Sequence, residues 1–240
     1  MLTITKESTV AAIVTNNIKT ADVFKKHGID FCCGGGVSLE RVCEKNNIVY
    51  NDLLLALENV EKIKNRAENY SSWSLDFLID HIINIHHSYV RESIVVLQQY
   101  VNKVAKVHGH HYTELLEIKA LFREVAEELT FHLQKEENIL FPYVKYLVQV
   151  EKGEAVFSKP QFQTVQNPIE VMEQEHENAG DIFKKIAVLT NNYTPPKEAC
   201  NTFKALYSKL EEFEQDLHQH VHLENNILHP KAKKLEKNIL

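Results

Sequence analysis

The sequence predicts an all-α protein, most of it an antiparallel up-down-up-down four-helix bundle behind a small helical N-terminal domain. Three observations predict it. No proline precedes Pro142, and the single glycine run is Gly34, Gly35 and Gly36, so long stretches carry no helix breaker. After Ser74, apolar residues recur at helical spacing for roughly thirty positions. A histidine and a glutamate four residues apart occur twice in the same surroundings: His132-Leu-Gln-Lys-Glu136-Glu-Asn-Ile-Leu-Phe-Pro142 and His220-Val-His-Leu-Glu224-Asn-Asn-Ile-Leu-His-Pro230. Residues i and i+4 share one helix face, so each segment can present an imidazole and a carboxylate to one point.

In chain order, residues 1–57 read as a small domain of short helices, among them 20–27, 38–46 and one from 51 onward, broken at Gly28 and the glycine run. Residues 58–73 are polar and charged, as suits a linker or a solvated helical extension. The bundle occupies 74–240. Its first helix starts at Ser74, an N-cap with Asp76 in the first turn. The second starts near Thr113, with Glu114 and Glu117 favourably placed against its dipole, and runs to Pro142 or beyond. Asn167-Pro168-Ile169-Glu170 combines an N-cap, a proline at the first helical position and a glutamate, and so opens the third. Thr194-Pro195-Pro196 opens the fourth. Short or moderate connections between four long helices make them antiparallel neighbours.

Each bundle helix should contribute one inward histidine. His132 and His220 lie on the second and fourth, and His176 stands halfway between them. On the first helix the choice is His86 or His87. Ile83, His87, Val90, Ile94, Leu97, Val101 and Val104 form one apolar stripe, whereas the row through His86 reaches Ser93 and Tyr100, so His87 is read as inward. Any one of these histidines alone is more often a hydrogen-bonded core or surface residue than a ligand. Four imidazoles and two carboxylates on core-facing positions are costly to bury without a metal or a partner for each charge. Imidazole and carboxylate without thiolate disfavour a structural zinc site. The expected ligands are His87, His132, Glu136, His176, His220 and Glu224, which suit two non-haem irons, each with two histidines and sharing two bridging glutamates, with a solvent oxygen completing an oxo bridge. Manganese could fill the same donors in vitro. Glu128, one turn before His132, and Glu175, beside His176, are candidates to hydrogen-bond a ligand imidazole or line an access path. The remaining histidines are expected to be mostly solvent-facing, with His86 or His222 near enough to become alternative ligands.

A net charge of −6 with interspersed signs carries no footprint for nucleic acid or anionic lipid. The N-terminus has no basic region followed by an apolar stretch, and no run of about 18 apolar residues occurs, so a cytoplasmic protein without membrane contact is expected. Four cysteines, two of them adjacent, make no secreted disulfide framework. Cys32 and Cys33 precede the glycine run, in a loop expected to lie outside the bundle and to be loosely packed. They could be a redox thiol pair, a transient metal or sulfur ligand, or inert buried thiols. Cys43 and Cys200 default to small core residues.

The two His-x-x-x-Glu segments, with His87 and His176, resemble the hemerythrin-like di-iron bundle. Lys-Glu-Glu-Asn-Ile-Leu-Phe-Pro and Leu-Glu-Asn-Asn-Ile-Leu, with the Asp30-Phe31-Cys32-Cys33-Gly34-Gly35-Gly36 segment, resemble its iron–sulfur cluster repair branch over nearly the whole chain. Ferritin-like oxidases use Glu-x-x-His pairs instead. The resemblance implies a stress-response protein whose labile di-iron centre supports repair of iron–sulfur clusters damaged by nitric oxide or peroxide. It also favours a redox or ligand role for Cys32 and Cys33, and names damaged iron–sulfur proteins, nitric oxide and oxygen as partners. A homodimer is compatible with this reading. Four histidines, one fewer than in oxygen-carrying hemerythrins, make a stable oxygen carrier the weaker expectation. Alternatives are an enzyme that couples two nitric oxide molecules to nitrous oxide, and a module that senses or stores oxygen or nitric oxide.

Overall fold

The computed structural model describes residues 3–62 and 70–240. Four short helices come first: α1 (Val10–Asn16), α2 (Ala21–Lys26), α3 (Leu39–Asn46) and α4 (Tyr50–Lys62). Thr9 starts α1, its hydroxyl accepting from the Ala12 N–H at 3.2 Å. The expected linker, 58–73, falls partly on α4 and on a short 3₁₀ turn at Tyr70–Ser72, and its residues 63–69 lie outside the described ones. The bundle follows as α5 (residues 75–108), α6 (114–151), α7 (Gln166–Leu189) and α8 (201–239). α5 packs on α6 and α8, and α6 on α7. α7 meets α8 through His176 with Asn225 and Glu173 with Lys233.

Three of the four long helices contain a π-helical turn: Ile82–His87 in α5, Glu136–Leu140 in α6 and Glu224–Leu228 in α8. In the last two the cause is legible. Pro142 and Pro230 lie inside continuous helix and have no N–H for the carbonyl four residues back. The N–H just before each proline instead reaches back five residues, Phe141 to the Glu136 carbonyl and His229 to the Glu224 carbonyl. Widening by one residue lets the helix pass its proline, and such bulges gather at functional sites. In α5 the turn replaces the expected Ile83 by Ile82, fully buried and five residues before His87.

Two helix starts differ from expectation. α7 begins at Gln166, ahead of Asn167, because Thr164 Oγ1 accepts the Gln166 N–H at 3.0 Å and the buried Glu236 carboxylate accepts the Val165 N–H at 2.9 Å. α8 begins at Asn201, behind Cys200, and not at Thr194. Asn191, Asn192 and Tyr193 take left-handed conformations there, and two prolines disfavour helix in the residues before them.

The apolar interior falls into two cores. One holds Val90, Leu97, Phe122, Leu133, Phe183, Phe213 and Val221, continuous with Val10, Ile13, Phe24, Phe31, Cys32 and Leu39 of the N-terminal segment. The other holds Leu78, Ile82, Leu140, Val144, Ile169, Met172, Leu223 and Leu228. Each ligand candidate lies between a residue of one core and a residue of the other, so a single polar layer divides the bundle. Among the described residues no helix is long and apolar enough to cross a membrane.

The shared core sets an expectation for the domain boundary, which we place at 58–73. A fragment starting near Ser72 retains all six candidate ligands and should fold and bind metal. It should melt below the full chain, because removing the N-terminal segment exposes apolar surface. Thermal melts of both, with metal analysis, check this; an unfolded or metal-free fragment would place the boundary elsewhere.

Candidate metal centre

The π turns bring the expected residues to one point. His87, Glu136, His220 and Glu224 form one group, and His132, Glu136, His176 and Glu224 a second, each with its donor atoms within 4.8 Å of one another and all residues buried. Both glutamates belong to both groups. Glu136 Oε2 lies 3.4 Å from His87 Nε2 and 3.3 Å from His132 Nε2; Glu224 lies 3.1 Å from His220 Nε2 and 3.2 Å from His176 Nε2. Every imidazole turns Nε2 inward. His87 Nε2, both Glu136 oxygens and Glu224 Oε2 are buried without a hydrogen-bond partner. Bare buried oxygens and nitrogens facing one another are a cost that a cation between them removes, so the donor set fits a metal pair.

The charge states lead to the same conclusion. Burial alone would strip protons from His87 and His132, but the adjacent carboxylates outweigh it and both are raised above the usual imidazole range. At His220 burial prevails and the group is lowered. Burial would raise Glu136 and Glu224, yet the imidazoles hold both below the usual carboxylate range. The layer therefore holds two carboxylates that demand positive charge, as protons or as metal. Metal uptake must displace the protons, so affinity weakens as pH falls.

Outside this layer, three imidazoles donate their other N–H to the protein. His87 Nδ1 lies 2.6 Å from Glu137, which Arg91 also holds at 2.7 Å. His132 Nδ1 lies 2.9 Å from Glu175, which Lys135 pairs. His176 Nδ1 lies 2.9 Å from Asn225 Oδ1. Each contact keeps the proton on Nδ1, leaves the Nε2 lone pair for a metal and raises its basicity. Glu175 thus stands where the sequence suggested. Glu128 does not: it is exposed, and no hydrogen bond of the described residues joins it to a ligand candidate. Glu137 was missed, although it follows Glu136 directly, because adjacent residues on an ideal helix point about 100° apart.

The other histidines correct a second expectation. His86, His222 and His229 are all buried. His86 turns inward with His87 because the π turn shifts the helical phase; it stacks on His220 at 5.4 Å and pairs with Asp216 at 2.9 Å. His229 stacks on His176 at 6.2 Å, as Phe141 stacks on His87 at 5.6 Å in the matching position of the other repeat. His222 faces away from the centre, between the Thr15 hydroxyl at 3.3 Å and Asn226 at 3.1 Å, and burial pushes it down to about 4.

The cysteine loop is held against this layer. Asn226 donates to the Cys32 carbonyl at 3.0 Å, and Asp30 accepts the Cys32 and Cys33 N–H groups at 3.0 Å each. Cys32 is buried in the core and Cys33 half-buried, contrary to the loose loop expected. Both line a cleft of about 1010 Å³ between the N-terminal segment and α7 and α8, whose walls include Phe31, Lys184, Tyr193 and His218. Cys43 is buried as expected, whereas Cys200 is exposed and faces His108 Nε2 at 3.3 Å.

A helical bundle divided by one buried layer of imidazoles and shared carboxylates is a metal-binding bundle. The family model of the hemerythrin HHE cation binding domain matches residues 78–232, and that of a domain of unknown function, ScdA_N (DUF542), matches residues 6–61. The chain is 37% identical to the iron-sulfur cluster repair protein ScdA of Staphylococcus epidermidis, over 95% of this chain and 99% of that protein. It is 38% identical to the iron-sulfur cluster repair protein YtfE of Yersinia pseudotuberculosis, over 88% and 89%. To a probable iron-sulfur cluster repair protein of Haemophilus influenzae it is 37% identical, over 88% and 89%. The chain belongs to the hemerythrin HHE family, in its iron–sulfur cluster repair branch.

Proposed function

We propose that this chain is a di-iron protein that repairs iron–sulfur clusters damaged by nitrosative or oxidative stress, by supplying iron from the centre between Glu136 and Glu224. One observation carries the reading: two groups of donors share both carboxylates, an arrangement suited to two adjacent cations and wasteful for one. The names of the relatives point to the same task. His87, His132, Glu136, His176, His220 and Glu224 would hold the metals. When bound, a pair of irons supplies labile, redox-active metal, with damaged iron–sulfur proteins as its recipients.

The protein's own contribution follows from its contacts. Glu137, Glu175 and Asn225 fix three imidazoles in the tautomer that exposes Nε2. Glu137 and Glu175 are themselves partly exposed, so a single side chain separates the layer from solvent on two sides. That proximity supports a centre able to release its metal. Glu136 and Glu224, each belonging to both donor groups, would hold the metals, and a carboxylate free to change how it binds would let iron pass to an acceptor. Cys32 and Cys33, at the cleft wall, would serve transfer or redox control.

Protein purified from iron-rich cells should contain close to two irons per chain and absorb in the near ultraviolet as a coupled ferric pair. Iron-loaded protein should restore an inactivated cluster enzyme in proportion to the iron it gives up. Metal analysis finding one zinc per chain would contradict the centre. Steady turnover of nitric oxide under a reductant, without restoration of the cluster enzyme, would show an enzyme and not a donor.

A further inference from the structure

The cleft beside the cysteine loop contains none of the six candidate metal ligands. Its volume of about 1010 Å³ is that of a small-molecule site. On its lining, Lys25 Nζ, the Tyr193 hydroxyl and His218 Nδ1 are buried without a hydrogen-bond partner. We propose that the cleft binds a small thiol of amino-acid or short-peptide type, with both a carboxylate and an ammonium, and joins it to Cys33 as a mixed disulfide. This inference rests on the cleft and not on the metal reading above.

The floor carries hydrogen-bond donors. Glu214, itself buried, lies 3.4 Å from Lys25 Nζ and supplies its counter-charge. Burial, and then the Glu214 carboxylate, push the Tyr193 hydroxyl above the usual phenol range, so it stays a donor. A carboxylate that reaches this floor gains an N–H and an O–H with no other hydrogen-bond partner. Tyr193 is also placed there at a cost. Asn191, Asn192 and Tyr193 take φ of 49, 51 and 56°, left-handed conformations that bulky side chains rarely adopt. Such strain gathers at ligand sites. The rim has the opposite sign: exposed Asp22, Glu177 and Asp181 stand against Lys26 and Lys184, and Asp181 already pairs with Lys184 at 3.0 Å. An ammonium is favoured at the mouth and a carboxylate at the floor.

Of the two adjacent thiols, Cys33 is the one placed to react. It is half-buried on the cleft wall, with Asn225 Nδ2 3.9 Å from its sulfur. Cys32 is buried and its S–H donates to Asp30 at 3.3 Å; its hydrogen bond to Cys33, then burial, push it up and keep it protonated. The co-reactant is the small thiol's own disulfide. Cys33 gives its proton to solvent, and its thiolate attacks one sulfur of that disulfide. The bond from Cys33 to that sulfur forms as the small molecule's S–S bond breaks, and the departing thiolate takes up a proton. Cys33 is oxidised and one half of the small disulfide is reduced.

The test exposes full-length protein as purified, without oxygen, to one of four disulfides. Glutathione disulfide carries both charges, cystamine only ammonium groups, dithiodipropionate only carboxylates, and hydroxyethyl disulfide none. Peptide mass spectrometry counts the adducts at each cysteine. Exposed Cys200 is the internal reference, which cancels the differing reactivity of the reagents. The ratio of Cys33 to Cys200 adducts should be about tenfold higher with glutathione disulfide than with the other three, the worth of one charge-assisted hydrogen bond. Tyr193→Phe removes only the floor hydroxyl, and Lys25→Met combined with Glu214→Gln removes both floor charges together. Each should bring the ratio toward that of hydroxyethyl disulfide. Equal ratios for all four reagents would overturn the proposal, as would the absence of a Cys33 adduct. A ratio for cystamine as high as for glutathione disulfide would also overturn it, since the acidic rim would then attract any cation. So would a preference kept in full by both variants. Elemental analysis of the same samples reports separately on the metal centre.

Discussion

Glu136→Ala and Glu224→Ala should each empty both metal positions, whereas His87→Ala should weaken one and leave a measurable share of metal in place. The difference follows from membership: each glutamate belongs to both donor groups, and His87 to one. With a metal in each group, removing a carboxylate would take an anion from both at once and leave two mutually repelling charges with a single negative partner. Removing an imidazole takes one neutral donor from one cation. Metal bound only by the folded protein stabilises it by mass action, about 4 kcal/mol at a thousandfold excess over Kd. The rise in Tm on loading should therefore vanish in both glutamate variants and persist, reduced, in His87→Ala. Elemental analysis and paired melts decide it. Equal metal in all three variants would mean that the carboxylates do not bridge.

Gly35→Ala should be the most damaging small substitution in the N-terminal segment. A Cβ at Gly35 would lie 2.5 Å from the Phe31 carbonyl oxygen and 2.9 Å from Ala11 Cβ. Neither neighbour can retreat freely. The Cys32 carbonyl is held by Asn226, and the Ala11 N–H donates to the Gly35 carbonyl at 2.7 Å. Overpacking against a fixed backbone costs about 1–3 kcal/mol, and here it would displace the loop that carries Cys32 and Cys33. Gly36→Ala is the control, since nothing stands within 4 Å of its added Cβ. Denaturant midpoints should fall for Gly35→Ala and stay put for Gly36→Ala, with bundle metal content unchanged in both. A Gly35→Ala protein as stable as wild type would show that the loop is not packed as described.

The glycine run shows how local reading can mislead. Three consecutive glycines suggest a flexible loop with unusual backbone angles, yet none of the three takes a positive φ. What Gly35 supplies is the absence of a side chain where two segments meet, and no neighbour in sequence reveals that. The extra histidines make the same point. An ideal helical period places His86 outward, and a one-residue widening of the turn carries it inside.

The sequence by itself determined the helical bundle, the four imidazoles and two carboxylates at its core-facing positions, and the family to which the chain belongs. These are local facts: an apolar period of three or four residues marks a helix face, and a histidine with a glutamate four residues on marks two donors on that face. Only the tertiary structure decided which atoms meet. It set the π turns that let two helices pass Pro142 and Pro230, brought Glu137 and Asn225 behind the imidazoles, and packed the cysteine loop one amide away from His176. Those contacts join residues from 49 to 192 positions apart, the π turns excepted. They depend on how helix phases and interhelical distances add up in space, which no periodicity along a single segment can record.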